Sequence, residues 1–116
     1  MSLKVTEVGK QFNYGTYFDL SGNTALDLKF KSPTGIEIII SNPRVTAPSV
    51  DLTTTIEQSD GAEKQVTFPA STYMQFTTEA TDFTESGIWT VCGTYTDATP
   101  KIFYGDDTTF TVGAAC

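Results

Sequence analysis

Alternation of apolar and polar residues with a period of two is the feature that most constrains this chain. It recurs almost from end to end, and no window of about eleven residues or more spaces its apolar positions for a helix. In the clearest segment Leu26, Leu28 and Phe30 alternate with charged residues, as in a strand with one buried face. Thr is the most frequent residue, and its branched Cβ favours a pleated surface. The pattern predicts an all-β chain with no substantial helix.

Turn residues divide the chain into short strands. Pro33 and Gly35 stand before the alternating residues 36–40, which predicts a hairpin. Pro43 and Pro48 then interrupt the pairing because proline has no N–H to donate, so we expect the chain to change sheets or cross an edge there. Turns at roughly 8–12-residue spacing favour two sheets packed face to face over an open meander, since two apolar faces must cover each other.

The net charge of −7, from 14 acidic and 7 basic residues, limits the partners. A surface of this sign offers no electrostatic footprint for a phosphate backbone or an anionic lipid, so neither nucleic acid nor a membrane is expected. No stretch approaches the roughly 18 apolar residues of a membrane span. The first residues lack the apolar run of a signal peptide. We expect a soluble protein that is not exported.

The chain contains no His, and its absence removes the commonest general base and the commonest metal ligand. The Ser and Thr residues have no His or Lys base at a recognisable spacing, so no enzyme activity is expected. Asp97, Asp106 and Asp107 lie near the final turns, but their spacing matches no calcium loop, which favours solvated turn carboxylates. We predict no catalytic residue, no metal site and no cofactor.

The two cysteines leave one question open. Cys92 lies within a predicted strand, and Cys116 is at the end of the sequence, where chains usually fray. A small apolar side chain at 92 and a free thiol at 116 is the simpler interpretation. A Cys92–Cys116 disulfide is the alternative.

Aromatic residues supply the candidate interface. Core packing is expected to take the largest set of rings, which comprises Phe12, Phe18, Phe30, Phe68, Phe76, Trp89, Tyr95 and Phe110. Phe103 and Tyr104 are consecutive, so in a strand they point to opposite faces and one is expected to stay exposed. Interfaces and sugar platforms both favour exposed rings. The candidate interface residues are Phe103, Tyr104, Tyr14 and Tyr17.

Residues 85–91, Glu-Ser-Gly-Ile-Trp-Thr-Val, resemble a run found in immunoglobulin-type sandwiches. In that run, Asp-X-Gly-X-Tyr-X-Cys, the aromatic ring sits at the corner that enters strand F. Here Glu85, Trp89 and Val91 replace the Asp, the Tyr and the Cys, so the disulfide of such domains is not expected. Trp89 can still bury its ring and donate its N–H to a nearby carbonyl.

A second resemblance spans nearly the whole chain and depends on the order of its pieces. These pieces are Glu7-Val8-Gly9 ahead of Phe12, Phe18-Asp19-Leu20-Ser21-Gly22, Lys29-Phe30-Lys31-Ser32-Pro33-Thr34-Gly35, Asp82-Phe83 ahead of Gly87-Ile88-Trp89, and Phe110-Thr111-Val112. They are similar to small immunoglobulin-like virion proteins of tailed bacteriophages, including the N-terminal domain of baseplate upper proteins. Thr34 stands where that order usually has Asp, and residues 43–69 do not align with it.

This resemblance implies a fold and a function. The fold is a single immunoglobulin-like β-sandwich of about 7–9 antiparallel strands over residues 1–116, with residues 1–18 as an N-terminal arm or edge strand. The function is that of a non-enzymatic virion structural protein on the capsid or on the tail, baseplate or fibre, assembled in the host cytoplasm. Its expected partners are other virion proteins, with self-association as a further option. A carbohydrate-binding sandwich that holds host-surface glycans on exposed rings is the alternative, and a secreted adhesin domain fits less well because no signal sequence is seen.

Overall fold

The described chain consists of strands and their connections. The computed structural model describes residues 3–16, 18–57 and 62–114, and these form no helix, which confirms the all-β prediction. None of the described residues therefore belongs to a helix that is long and apolar enough to cross a membrane. The ten strands are β1 (Leu3–Lys4), β2 (Gln11–Gly15), β3 (Asn23–Lys31), β4 (Glu37–Ser41), β5 (Leu52–Glu57), β6 (Glu63–Phe68), β7 (Tyr73–Thr77), β8 (Gly87–Asp97), β9 (Ile102–Tyr104) and β10 (Thr108–Gly113).

A six-stranded sheet is the largest unit. Its order is β1-β10-β8-β3-β4, and β9 pairs with the end of β8 while β10 pairs with its beginning. The strands β2 and β7 form a second sheet, and β5 and β6 form a third. The pair β1–β10 runs parallel, which departs from the expected antiparallel pairing throughout. β1 is a short edge strand because Thr6 adopts a φ of 57° and donates its N–H to the Phe83 carbonyl at 2.8 Å.

The predicted hairpin after Lys31 is confirmed. Strands β3 and β4 pair antiparallel without a register shift over their whole contact. Gly35 takes a φ of 92°, a conformation that an L side chain rarely adopts, and its N–H donates to the Ser32 carbonyl at 3.0 Å. The hydroxyl of Ser32 accepts the N–H of Ile36 at 3.0 Å, so the turn satisfies its own polar groups.

The proline-bearing connection after β4 crosses to the second sheet, as predicted. Thr46 and Gln75 exchange backbone hydrogen bonds of 2.9 and 2.8 Å, which places this segment beside β7. Arg44 clamps the crossing, because its guanidinium donates to both carboxylate oxygens of Asp82, at 3.0 and 2.7 Å. The same guanidinium lies 5.5 Å from the centre of the Phe76 ring. A bidentate, charge-assisted pair of hydrogen bonds therefore links this connection to the loop before β8.

One cluster of aromatic rings joins the six-stranded sheet to the sheet of β2 and β7. The ring centre of Phe12 on β2 lies 5.2 Å from that of Phe30 on β3 and 5.0 Å from that of Phe110 on β10. Six of the eight rings expected in the core are buried, and Phe18 and Phe110 are partly buried against it. The core also contains side chains that were not expected there from the sequence, namely Leu20, Val45, Tyr73, Met74 and Phe83.

Replacing Phe12 by Ala tests this packing. We expect the free energy of unfolding to fall by about 3–5 kcal/mol, because the substitution opens a cavity between the two sheets. Chemical denaturation followed by tryptophan fluorescence measures the change. The matched control is Val8→Ala, which removes an exposed apolar side chain and is expected to change stability by less than about 0.5 kcal/mol. Equal losses for the two variants would contradict the packing described here.

Candidate functional site

Exposed hydrophobic side chains gather on β9. We define the β9 patch as Ile102, Phe103 and Tyr104, the three residues of that strand. One of the two consecutive rings was expected to stay at the surface, and the structure leaves both exposed, Tyr104 at 71% and Phe103 at 40%. Ile102 is also exposed and lies on the same face of the strand as Tyr104. Exposed apolar side chains that lie together commonly mark an interaction site.

A stack of rings supports the β9 patch from behind. Phe103 pairs with Tyr95 of β8, and their rings stack with centres 5.2 Å apart. The ring of Phe18 lies 6.1 Å from that of Tyr95 and 6.4 Å from that of Phe103. Phe103 therefore faces the core side of the sheet, and Tyr104 projects from the opposite face. The stack holds the strand in place while leaving the Tyr104 ring to solvent.

Asp97 organises the turn that leads into the β9 patch. One carboxylate oxygen of Asp97 accepts the backbone N–H groups of Thr99 and Lys101 at 2.9 and 2.8 Å. The hydrogen bond from Lys101 is the main cause that lowers the pKa of Asp97 below its usual value. This carboxylate therefore works within its own turn, as the interpretation of Asp97 as a turn residue predicted.

Tyr14 lies under the connection from β9 to β10. Its ring is buried against Gly93 and Gly105, and its hydroxyl donates to the Asp106 carbonyl at 2.6 Å. A Cβ at Gly105 would collide with that hydroxyl. Tyr14 was predicted as an interface residue, but a buried ring offers no surface to a partner, so it supports the patch instead. Tyr17, the fourth predicted interface residue, lies outside the described residues.

Cys92 lies beside the same connection. Its thiol is half-buried and free, and it donates to the Gly105 carbonyl at 3.5 Å. Burial is the main cause that raises the pKa of this thiol, with the neighbouring carboxylates acting in the same direction. These contacts fit a small packing residue. The predicted alternative, a disulfide with Cys116, lies outside the described residues.

The corner that enters β8 is built as the sequence suggested. Trp89 buries its ring and donates its Nε1–H to the Glu85 carbonyl at 3.0 Å, which confirms the predicted hydrogen bond. The Glu85 carboxylate in turn accepts the hydroxyl of Thr34 at 2.8 Å. The corner thus ties β8 to the turn between β3 and β4, and it fixes the strand that carries β9 and β10.

A second exposed apolar surface was not anticipated from the sequence. Ile36 and Ile39, at the other edge of the six-stranded sheet, are mostly exposed. Ile38, Ile39 and Ile40 are consecutive, so in a strand the side chain of Ile39 points to the face opposite the other two. This alternation was the signal that could have predicted the exposure of Ile39. Its position at a sheet edge was not predictable, because the edge depends on strand order.

The β9 patch exposes backbone groups as well as side chains. The hydrogen bonds from Asp97 N to Lys101 O and from Gly105 N to Gly93 O bracket the pairing of β9 with β8. The peptide groups of Ile102 and Tyr104 consequently point away from β8, and none of the strands in the described part of the chain pairs with them.

No family model, curated protein or solved structure matches this chain.

The ionisation of Tyr14 tests its place beneath the patch. Burial is the main cause that raises the pKa of Tyr14 from 10.0 to about 12. The stabilisation from the neutral phenol is therefore complete below about pH 10 and is lost as the pH rises through about 12. We predict that Tyr14→Phe makes the fall in unfolding free energy over this range shallower, as measured by denaturation at each pH. An ultraviolet titration of tyrosinate should lose its late step in the same variant, and an unchanged titration curve would contradict the assignment.

Proposed function

We propose that this chain is a non-enzymatic structural protein of a bacteriophage virion, an immunoglobulin-like module that attaches to the capsid or to the tail, baseplate or fibre. The β9 patch is the observation that carries the proposal. It combines exposed hydrophobic side chains, a supporting ring stack and outward peptide groups in one short strand. These are the properties of a contact surface for another protein.

The strand order supports the immunoglobulin-like part of the proposal. The sequence of neighbours β10-β8-β3-β4 corresponds to strands G, F, C and C′ of a variable-type domain, and the pair β2–β7 corresponds to strands B and E. The Trp89–Glu85 hydrogen bond takes the place of the tyrosine corner of that fold. The third sheet, β5–β6, pairs with neither of the others within the described residues, which is a departure from the expected two sheets.

The pieces that resemble phage virion proteins have structural roles here. Leu20 is fully buried and donates its N–H to the Ser71 carbonyl at 2.7 Å. Phe83 packs against Phe30 and Trp89 with ring centres 5.2 Å away from each. These motifs build the scaffold and leave function to sites on the outer surface. This supports a role in which the outer surface does the work.

Tyr104 is the expected anchor of the contact. Interfaces draw most of their binding energy from a few residues, with Tyr and Trp enriched among them, at about 2 kcal/mol or more each. The Tyr104 ring is exposed, while the strand beneath it is fixed by the stack of Phe103 on Tyr95. A fixed strand loses little conformational entropy on binding, so more of the contact energy is retained.

Particles produced from a genome that encodes the chain provide the test. Mass spectrometry of purified particles should find the wild-type chain at a constant ratio to the major capsid protein. Tyr104→Ser should weaken the attachment about thirtyfold, the change expected from a loss of about 2 kcal/mol, and so lower that ratio. Val50→Ser is the matched control, because Val50 is 63% exposed and lies outside the β9 patch. Absence of the wild-type chain from particles, or equal ratios for both variants, would contradict the proposal.

The exposure of Tyr104 also favours a second candidate function, binding of a host-surface glycan. An exposed ring can stack on the apolar face of a sugar. A glycan array probed with the wild-type chain and the same two variants separates the candidates. Binding that Tyr104→Ser abolishes and Val50→Ser preserves would support the glycan-binding function in place of the structural one.

A further inference from the structure

The two edges of the six-stranded sheet are protected to different degrees. At one edge β1 contributes only two residues. At the other, β4 runs for five residues in regular register with β3, without a proline or a bulge. Natural sheets usually protect long edges with proline, bulges or inward charges, because unpaired strands invite another strand. We refer to the outer side of β4, residues 37–41, as the β4 edge.

The direction of each peptide group on the β4 edge follows from the hydrogen bonds that flank it. The N–H of Asn42 donates to Leu26 O at 3.2 Å, and the N–H of Ser32 donates to Ile36 O at 2.9 Å. These bonds direct the peptide groups of the even-numbered residues 38 and 40 toward β3. Glu37 and Ile39 therefore present their peptide groups outward, where no strand from the described ranges pairs with them. Ser41 also presents its N–H outward, while its carbonyl accepts the N–H of Val45 at 3.1 Å.

The side chains on the β4 edge suit an apolar contact. Ile39 is 63% exposed on the outer face of the sheet. On the opposite face Ile38 is half-buried and Ile40 is buried against the core. A strand added beside β4 would cover Ile39 and complete the burial of Ile38, which provides a hydrophobic gain in addition to the backbone hydrogen bonds.

The charge around the β4 edge is balanced, unlike that of the whole chain. Asp27, Lys29 and Lys31 alternate with buried residues of β3, and Glu37 faces the same side. Lys29 Nζ lies 3.3 Å from a carboxylate oxygen of Glu37. Taking these two acids and two bases from the 14 and 7 in the chain leaves twelve acidic and five basic residues elsewhere. A second copy of this acidic chain therefore meets less repulsion at this edge than the net charge of −7 would impose on average.

We propose that β4 pairs antiparallel with β4 of a second copy, about a two-fold axis at Ile39. In this register the two Ile39 residues exchange a pair of backbone hydrogen bonds, and each Glu37 lies opposite Ser41 of the other copy. Ile38 then lies opposite Ile40 of the other copy. The two Glu37 carboxylates are four residues apart along the strands, about 13 Å, so like charges do not meet. The β9 patch is at the opposite edge of each sheet, so this dimer is independent of the proposed virion role.

Sedimentation equilibrium of the full chain tests the dimer. The wild type should sediment as a dimer, and Ile39→Pro should weaken the association at least about tenfold. Proline at 39 removes only an outward N–H and leaves the bonds to β3 in place, so the fold should persist. Ile39→Lys is a second disruptive variant in case proline distorts the strand. Ile88→Lys is the matched control, since Ile88 on β8 is 65% exposed on the same face of the sheet as Ile39 and should leave the dimer intact.

Amide hydrogen exchange of the wild type provides a test without any substitution. The amides of Glu37, Ile39 and Ser41 should become protected as the protein concentration rises, whereas those of Ile38 and Ile40 should be protected at every concentration. A monomer at about 1 mM, where even weak pairs form, would overturn the proposal. So would a dimer that Ile88→Lys disrupts and Ile39→Lys does not, or protection that appears only when a different protein is added.

Discussion

Contact between aromatic rings across the space between two sheets is the interaction on which the rest of the structure depends. Phe12 on one sheet touches both Phe30 and Phe110 on the other, in edge-on arrangements that place ring hydrogens against ring faces. Phe83 enters the same cluster from a loop, and it meets Trp89 edge-on. This cluster fixes β3, β8 and β10 relative to β2, so it also determines which strands become edges.

The outer features follow from that arrangement. With β3 and β8 at the centre of the large sheet, β9 and β4 fall on opposite sides of it. The hydrogen bond from Tyr14 to Asp106 extends the order of the core into the connection beside β9. A dimer formed through β4 would leave both β9 patches free, so two copies could present a pair of identical contact surfaces to a larger assembly. The two proposals therefore describe compatible uses of one scaffold.

The sequence predicted the local features well because those features are set by neighbouring residues. Period-two alternation identified β3 and β8, and Pro33 with Gly35 identified the hairpin, since each depends on a few adjacent dihedral angles. The same alternation puts Tyr14 on the face of Phe12, so its burial was available from the pattern but was outweighed by the usual preference of Tyr for interfaces. Trp89 was recognised from the resemblance of the local run 85–91, and its hydrogen bond to Glu85 lies within that run.

Non-local features were not predictable from these signals. Leu20, Val45 and Phe83 lie in connections that have no periodicity, so nothing in the pattern marks them as core residues. The parallel pairing of β1 with β10 joins the two ends of the described chain, and the open state of β4 depends on the order of all the strands. Long-range pairing of this kind is determined by the packing of the whole molecule.

A double-mutant cycle between Phe12 and Phe30 tests the central interaction most directly. The free energy of unfolding is measured for the wild type, for Phe12→Leu, for Phe30→Leu and for the double variant. Direct ring contact between the sheets predicts a coupling energy of about 0.5–1.5 kcal/mol. Additive losses, with no coupling beyond about 0.3 kcal/mol, would show that the two rings do not touch and would contradict this account of how the sheets are joined.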